Sequence, residues 1–415
     1  MTNFLPNVAV VGVGYVGFPL ALQSGKYYQT VGYDLNQQRI ESIKKNIDLN
    51  NDYDSSEIKE ILDIGKLSFT SDVQDLKSCN FFIVTVPTPI DQDKEPDMSF
   101  LKSACEDISG FLKSNDIVVF ESTVYPGAIE EFCIPILETN SGLKLNVDFF
   151  CGYSPERINP GDKIHSIDKI IKVTSGSNKY SLEIIDNFYK SIIPAGTFPV
   201  SSIKIAEASK VIENTQRDIN IAFMNELAVI FEKMDINIFE VLDAANTKWN
   251  FIDFVPGLVG GHCIGVDPHY LAYKSKQLGH DPKMILAGRA INEDMSLEIA
   301  KIIKRKIGHI KKDNVNNKIL IFGLTFKENC PDLRNSKVFD LIKHLEDFGF
   351  EISIYDPVLN IDELTKENQN KLVSKDSIYE FSLAVLAVPH KKIIDMKIDK
   401  EKYDLFYNLK NAEIK

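Results

Sequence analysis

Cys263 lies in the run Pro256-Gly257-Leu258-Val259-Gly260-Gly261-His262-Cys263-Ile264-Gly265-Val266-Asp267-Pro268, and the same chain opens with Gly12-Val13-Gly14-Tyr15-Val16-Gly17. The opening motif is a dinucleotide fingerprint; the later run frames a thiol with glycines. A nicotinamide site alone implies one hydride transfer. Paired with a nucleophilic sulfur, it implies an oxidation that continues past an aldehyde, through a thioester, to an acid, because a thiolate adds to a carbonyl and can later leave. Glycines beside the thiol let backbone and substrate approach closely.

In the fingerprint, Gly12 permits the tight turn, Gly14 lets the backbone reach a pyrophosphate and Gly17 allows close packing of helix on strand. The N–H groups of the helix N-terminus then face the phosphates. Asp34 ends the next strand, where an acidic side chain hydrogen-bonds the adenosine ribose. Its charge repels a 2′-phosphate, so NAD is favoured over NADP. Arg39 complicates this, since an arginine can accept that phosphate; otherwise it is a solvated helix residue.

Other polar residues have two readings each. In Val86-Pro87-Thr88-Pro89 and Glu121-Ser122-Thr123-Val124, Pro87, Thr88 and Thr123 follow strands, where open α/β sheets bind ligands; ordinary loop capping explains the threonines equally well. In Tyr153-Ser154-Pro155-Glu156-Arg157-Ile158-Asn159-Pro160-Gly161, Glu156 is a candidate general base or water-orienting group, or a salt-bridge partner of Arg157 or another cation. Glu207, Lys210, Asn214 and Arg217 recur three and four apart on one helical stripe. There Lys210 and Asn214 could stabilise an oxyanion, or the stripe is a solvated face. Cys263 itself is an inert buried thiol, a metal ligand with His262 and His269 but no evident fourth partner, or a nucleophile whose pKa is lowered by a cation such as Lys210.

The elements that must hold these residues follow from periodicity. Short apolar runs at 8–11, 30–33, 66–70, 81–86, 117–121 and 147–151 predict strands alternating with helices, hence a parallel sheet covered on both faces. Residues 201–246 contain no Pro or Gly, and Ile205, Ala208, Ile212, Ile219, Phe223 and Leu227 recur at helical spacing, which predicts a long helix and at least one more. A further helix is expected over 282–309. The strand at 318–323 ends in Gly323, the strand at 351–356 ends in Asp356, and 383–389 echoes 82–87. This order repeats the N-terminal one without the full glycine motif, so a second Rossmann-like domain is expected that does not bind a dinucleotide in the usual way.

At 415 residues the chain is long enough for two or three domains. A net charge of −12 argues against a nucleic-acid partner. No apolar run is long enough to span a membrane, no secretion signal is read at the N-terminus, and six scattered cysteines without a CxxC pair fit free thiols in a cytoplasmic protein.

Together with Phe326-Lys327-Glu328-Asn329-Cys330-Pro331-Asp332-Leu333-Arg334-Asn335-Ser336, these motifs resemble, in order and over nearly the whole chain, the UDP-sugar 6-dehydrogenase family of UDP-glucose, GDP-mannose and UDP-N-acetylhexosamine dehydrogenases. The Cys263 run looks most like the bacterial N-acetylhexosamine branch that serves capsule, Vi-type and O-antigen synthesis. The resemblance implies an α/β fold of two Rossmann-like domains joined by a helical one: NAD-binding over 1–198, helical over 199–312, UDP-sugar-binding over 313–415. It implies NAD as cofactor, no metal, and a homodimer or higher homo-oligomer.

The resemblance also implies roles. Cys263 is the nucleophile. Lys210 and Asn214 stabilise the charged intermediates. Glu156, Thr123 and Asp267 hold or activate water. Arg157, Gly257, Gly260, Phe326 and Lys327 contact the sugar nucleotide, and Arg334 the cofactor. The expected reaction is oxidation at C6 of UDP-N-acetylglucosamine or UDP-N-acetylgalactosamine. UDP-N-acetylmannosamine or UDP-glucose is the alternative substrate, and a non-catalytic nucleotide-sugar-binding regulator is the alternative class. Two positions depart from the family pattern: Val255 stands where an arginine is frequent, and His269 where a tyrosine is common.

Overall fold

Val8-Ala9-Val10-Val11 is too apolar to leave in water and too short for a helix, and it forms the buried strand β1 (Val8–Val11). The computed structural model describes residues 4–49, 53–158, 166–261, 263–310, 317–410 and 413–414. Around β1 run β2 (Thr30–Tyr33), β3 (Leu67–Thr70), β4 (Phe81–Val84), β5 (Ile117–Phe120) and β6 (Phe150–Tyr153), in the order β3-β2-β1-β4-β5-β6. Every pairing is parallel. This is the doubly wound order, which reverses between β1 and β4 and opens a ligand crevice beyond their carboxyl ends. Phe18, Leu20, Ile40, Phe69, Phe81 and Ile117 pack one continuous core beneath it.

The expected strand at 147–151 is displaced. Val147 is 73% exposed because Asn146 takes a left-handed φ of 62° and the Lys144 carbonyl accepts from the N–H groups of Val147 and Asp148. That turn delays the strand to Phe150. Two short strands that periodicity does not predict, β7 (Lys172–Thr174) and β8 (Thr197–Pro199), form a parallel pair beside this sheet.

The C-terminal echo is real. Strands β9 (Lys318–Phe322), β10 (Glu351–Tyr355), β11 (Leu383–Leu386), β12 (Leu405–Asn408) and β13 (Glu413–Ile414) form a sheet of order β10-β9-β11-β12-β13, antiparallel only at β13. β9 sits between β10 and β11 as β1 sits between β2 and β4. The likeness reaches single hydrogen bonds. Asp34 Oδ2 accepts from the Val13 N–H at 2.9 Å, and Asp356 Oδ2 accepts from the Leu324 N–H at 2.7 Å. In the second sheet, however, the Nε2 of the fully buried His390 lies 3.1 Å from Asp356 Oδ2, and its Nδ1 accepts from the Asn329 N–H at 2.8 Å. The acid that would read a ribose is already occupied.

The helical middle also forms. The long helix Ile203–Glu232 is followed, after Asp235 at φ 54°, by Ile238–Asn246, and Lys283–Gly308 comes later. The chain divides into one compact unit of Met1–Glu213 with His269–His280 and another of Asn214–Pro268 with Asp281–Lys415. Among the described residues no helix is long and apolar enough to cross a membrane.

The long helix is not cleanly amphipathic: Ile203, Ala206, Val211 and Met224 are buried, but so are several charged groups. Glu207 and Asp218 are fully buried and Lys210 is 9% exposed, whereas Ile205, Ile212 and Phe223 are 48%, 54% and 52% exposed. The apolar periodicity marks the helix correctly, but half of the residues that carry it, Ile205, Ile212 and Phe223, are exposed.

Candidate active site

In the first unit, β1 delivers the chain into the fingerprint. A Cβ on Gly17 would overlap the Gly12 carbonyl and the Thr85 hydroxyl, so only glycine allows the helix Gly17–Gly25 to approach the strands this closely. At Gly14 the nearest atom to a notional Cβ is Arg39 Nη1 at 3.8 Å, which leaves the open approach a pyrophosphate needs. Val13 offers its N–H to Asp34, Tyr15 and Val16 complete the turn, and Arg39 lies across it with Nη1 donating to the Val13 carbonyl at 3.2 Å. These residues fit NAD: a glycine cradle, a helix N-terminus and an acid at the end of β2.

Beyond the neighbouring strands, Pro87 is exposed and Thr88 and Thr123 are half-buried. The Thr88 carbonyl accepts from the buried Tyr270 hydroxyl at 2.9 Å, and Ser122 donates to the Val86 carbonyl at 2.7 Å. The loops after β4 and β5 are therefore tied to their surroundings through groups other than the two threonine side chains.

Glu156 is 6% exposed. Its Oε1 accepts from the N–H groups of Arg157 at 2.7 Å and Ile158 at 2.9 Å, and its Oε2 from Lys172 at 2.6 Å. Lys172 also donates to Glu121 Oε2 at 2.7 Å, and the Tyr189 hydroxyl donates to Glu121 Oε1. Burial raises the pKa of the Glu156 carboxyl, but the Lys172 ammonium and the two backbone N–H groups outweigh it and hold it below the usual range. Burial raises Glu121 against the pull of Lys172, and the charge of Glu156 raises it further. Arg157 reaches Glu213 at 2.9 Å and the Ile171 carbonyl rather than Glu156. Asn159, Pro160 and Gly161 lie outside the described residues.

The stripe on the long helix separates into different environments. Glu207 accepts from the N–H groups of Gly127 at 2.5 Å and Ile129 at 2.9 Å, and burial pushes its carboxyl up to about 7 against those two bonds. Lys210 is buried. One turn on, Asn214 donates from Nδ2 to Asp267 Oδ2 at 2.6 Å, while Arg217 is exposed.

In the second unit, the Cys263 carbonyl accepts from the N–H groups of Val266 at 3.1 Å and Asp267 at 2.9 Å, in the turn that enters the helix Asp267–Gln277. Of the six cysteines, five are buried and Cys263 is half-exposed. Burial pushes the Cys79 thiol up to about 11 and the Cys151 thiol well above its ordinary value. The Cys263 loop is pinned at two places. Gly257 exchanges hydrogen bonds with the Asn225 side chain at 2.8 and 3.0 Å. A Cβ on Gly260 would stand 2.5 Å from the Asn335 carbonyl, and the Gly261 N–H donates to that same oxygen at 3.3 Å.

That contact joins the loop to the segment of Phe326 and Lys327, both half-buried. Phe326 approaches Gly261 so closely that a Cβ there would lie 2.8 Å from its ring. Arg334 is held by Asp332, with Nη2 at 2.6 Å from Oδ2. Val255 is 47% exposed and His269 is buried. His262 lies outside the described residues, and among the described ones no group of three His, Cys, Asp or Glu forms a metal site.

Several buried charges carry little or no mark in the sequence. Lys172 and Glu121 are one pair. Arg289 and Asp218 are another, 2.6 Å apart, with Asn292 donating to the same Asp218 oxygen at 2.7 Å. The available signal for Lys172 is a lysine inside the apolar run Ile170-Ile171-Lys172-Val173; Arg289 carries no comparable mark.

Comparison with known proteins gives a consistent result. Profiles of the UDP-glucose/GDP-mannose dehydrogenase family match in three pieces: its NAD binding domain over residues 6–193, its central domain over 204–294 and its UDP binding domain over 320–411. The chain is 50% identical over 417 residues to a UDP-N-acetyl-D-glucosamine 6-dehydrogenase of Pseudomonas aeruginosa, covering 97% of both chains. It is 48% identical to one of Salmonella typhi, covering 94% of this chain and 91% of that one. Among solved structures, a UDP-D-ManNAc dehydrogenase from Pyrococcus horikoshii superposes with a TM-score of 0.87 at 28% identity, over 98% of this chain and 96% of that one.

Proposed function

This chain belongs to the UDP-glucose/GDP-mannose dehydrogenase family, an NAD-dependent oxidoreductase family, and from that premise we propose that it oxidises C6 of UDP-N-acetyl-D-glucosamine to the uronate in two successive steps. The single observation that carries the four-electron reading is Cys263, the only one of six cysteines that is not buried, at the turn into a helix whose first residue, Asp267, holds Asn214. Identity near 50% to two enzymes named for UDP-N-acetyl-D-glucosamine supports that sugar over its epimers.

The proposed sequence is balanced. The C6 hydroxyl gives up its proton and C6 a hydride, and the resulting aldehyde is captured by the Cys263 thiol as a thiohemiacetal, which keeps it from escaping between steps. Oxidation of that adduct gives a thioester, and water displaces the thiolate to release the acid. Bound NAD supplies the hydride acceptor at each oxidation. Lys210 and the Asn214 amide offer donors to the oxygen that becomes negative, and Asp267 holds Asn214 in the orientation that does so. Gly257, Gly260, Phe326 and Lys327 form the sugar-nucleotide side. Thr123 contacts water or cofactor, and Arg334 the cofactor. The product fits surface polysaccharide synthesis in the cytoplasm.

A homodimer is part of the same proposal. Ile205, Ile212, Phe223 and Ile230 are all exposed and fall within about 20° of one line along the helix, which suits burial against a second copy. Light scattering on the purified protein tests this, with Phe223→Lys expected to yield monomer.

The deciding experiment for the activity is stoichiometry. One UDP-N-acetyl-D-glucosamine should yield two NADH and one uronate. A yield of one NADH with free aldehyde rejects the four-electron reading, and no NADH with any UDP-sugar favours the regulator.

A further inference from the structure

We infer that His390 is a positioning residue for the sugar nucleotide: its buried imidazole fills the corner beside Asp356 and sets the conformation of the loop 323–330, which presents Phe326 and Lys327. This rests on the dehydrogenase reading above, which gives those two residues their contact with the nucleotide.

Val388-Pro389-His390 repeats Val86-Pro87-Thr88, so His390 stands where the first sheet has Thr88. Its side chain and that of Asp356 are both 0% exposed. Asp356 Oδ2 accepts from the Leu324 N–H at 2.7 Å and lies 3.1 Å from His390 Nε2. Asp356 Oδ1 accepts from the N–H groups of Val358 at 2.8 Å and Leu359 at 3.2 Å. On the other edge of the ring, Nδ1 lies 2.8 Å from the Asn329 nitrogen. A backbone N–H can only donate, so Nδ1 carries no proton and the ring N–H is at Nε2. That N–H points between Asp356 Oδ2 and Thr325 Oγ1, the latter 3.2 Å away. Thr325 accepts there and gives its own proton to the Lys327 carbonyl at 2.9 Å.

Leu324, Thr325, Lys327 and Asn329 are thus all held from one ring and the acid beside it. Asn329 needs that support, because its φ of 59° is a conformation most residues avoid. Its side-chain oxygen also accepts from the N–H of Lys391, the residue after His390, at 2.7 Å. Gly323, at φ 83°, lets the two loops touch: a Cβ there would stand 2.4 Å from the Val388 carbonyl. Phe326 and Lys327 lie between the fixed ends Leu324 and Asn329, and the Phe326 ring packs on Gly261, two residues before Cys263. A displaced Asn329 would therefore disturb the nucleotide contact and the neighbour of the Cys263 loop together.

The test uses the full-length protein with two variants. His390→Phe keeps a flat ring and loses both nitrogens; His390→Asn keeps an amide oxygen that can still accept from the Asn329 N–H. Calorimetric titration with UDP as the probe should show binding weakened about tenfold or more in His390→Phe, where a buried N–H loses its partner, and by less than about threefold in His390→Asn. With UDP-N-acetyl-D-glucosamine as substrate, KM should follow the same order, while KM for NAD moves by less than about threefold in both, as expected of a separate site. Hydrogen exchange should be faster in His390→Phe over 324–330 and unchanged over 8–33. Nitrogen-15 spectra of labelled histidine, with the His390 signals assigned by their loss in His390→Asn, should show a proton on Nε2 and none on Nδ1.

The inference is overturned if His390→Phe binds UDP as wild type does, if both variants are equally impaired, if exchange over 324–330 does not change, or if His390 carries a proton on Nδ1. None of these readouts needs turnover. If they come out as expected and no UDP-sugar is oxidised, the dehydrogenase reading fails and the role of His390 in holding the UDP loop stands. If turnover is found and they do not, only the role of His390 falls. If His390→Phe does not fold, the position of the ring proton in wild type decides.

Discussion

Asn214 on the long helix donates to Asp267 at the head of the helix that follows Cys263, at 2.6 Å, although 53 residues separate them in sequence. The bond fixes the asparagine amide, whose oxygen and nitrogen would otherwise be free to exchange places. Asp267 is itself buried, at 2% exposure, so this bond is shielded from competing water.

Asp267→Ala should therefore act through Asn214 as well as directly. The expected loss in kcat is about 10²- to 10³-fold, the size of removing one oxyanion donor. Asn214→Ala should lose a similar amount, and the double variant little more than either alone. Steady-state kinetics on the three proteins checks this; additive losses would show that the two residues act separately.

Thiol accessibility predicts which cysteine reacts. In the native protein a small alkylating reagent should modify Cys263 first, because the other five thiols are buried. Activity should fall in step with that single modification, followed by peptide mass mapping. Cys263→Ala should form no uronate. Normal acid formation by that variant would remove the sulfur from the mechanism.

Asp34 accepts from the Val13 N–H and, through its other oxygen, from the Asn36 N–H at 2.8 Å. Asp34→Ala removes a charged ribose acceptor and the brace of the fingerprint turn. KM for NAD should rise about 10- to 100-fold, the effect of losing a hydrogen bond to a charged group, and discrimination against NADP should weaken. Titration with both cofactors measures it; an unchanged preference would leave the 2′-phosphate to be excluded by other groups.

Glu207 makes stability depend on pH. The unfolded chain releases its proton near 4.5, the folded chain near 7, so between those values the folded state binds more protons. The contribution is fully present below about 4.5 and is lost as pH rises through about 7, a swing of about 3 kcal/mol. Glu207→Gln cannot titrate. Its stability relative to wild type, from urea unfolding, should therefore improve between pH 5 and pH 8 by about that amount. A difference independent of pH would place the Glu207 proton elsewhere.

The sequence by itself determined the parts whose signals are local. The fingerprint, Asp34 and the β-branched runs announce a nucleotide-binding sheet because strand, turn and helix are each specified within a few residues. The repeat of that order from 318 onward was legible for the same reason, as was the glycine-framed Cys263. Tertiary structure alone decided which polar groups meet. Glu121, Glu156 and Lys172 are drawn together across 51 and 16 residues, His390 fills the place beside Asp356 from 34 residues away, and Asn214 finds Asp267. A charge becomes costly only when it is taken out of water, and no residue's spacing states whether that happens. The long helix shows the same limit. Its periodicity told where the helix runs, while burial placed Glu207 and Asp218 inside and Ile212 and Phe223 outside, because what packs against a face is settled by the rest of the fold.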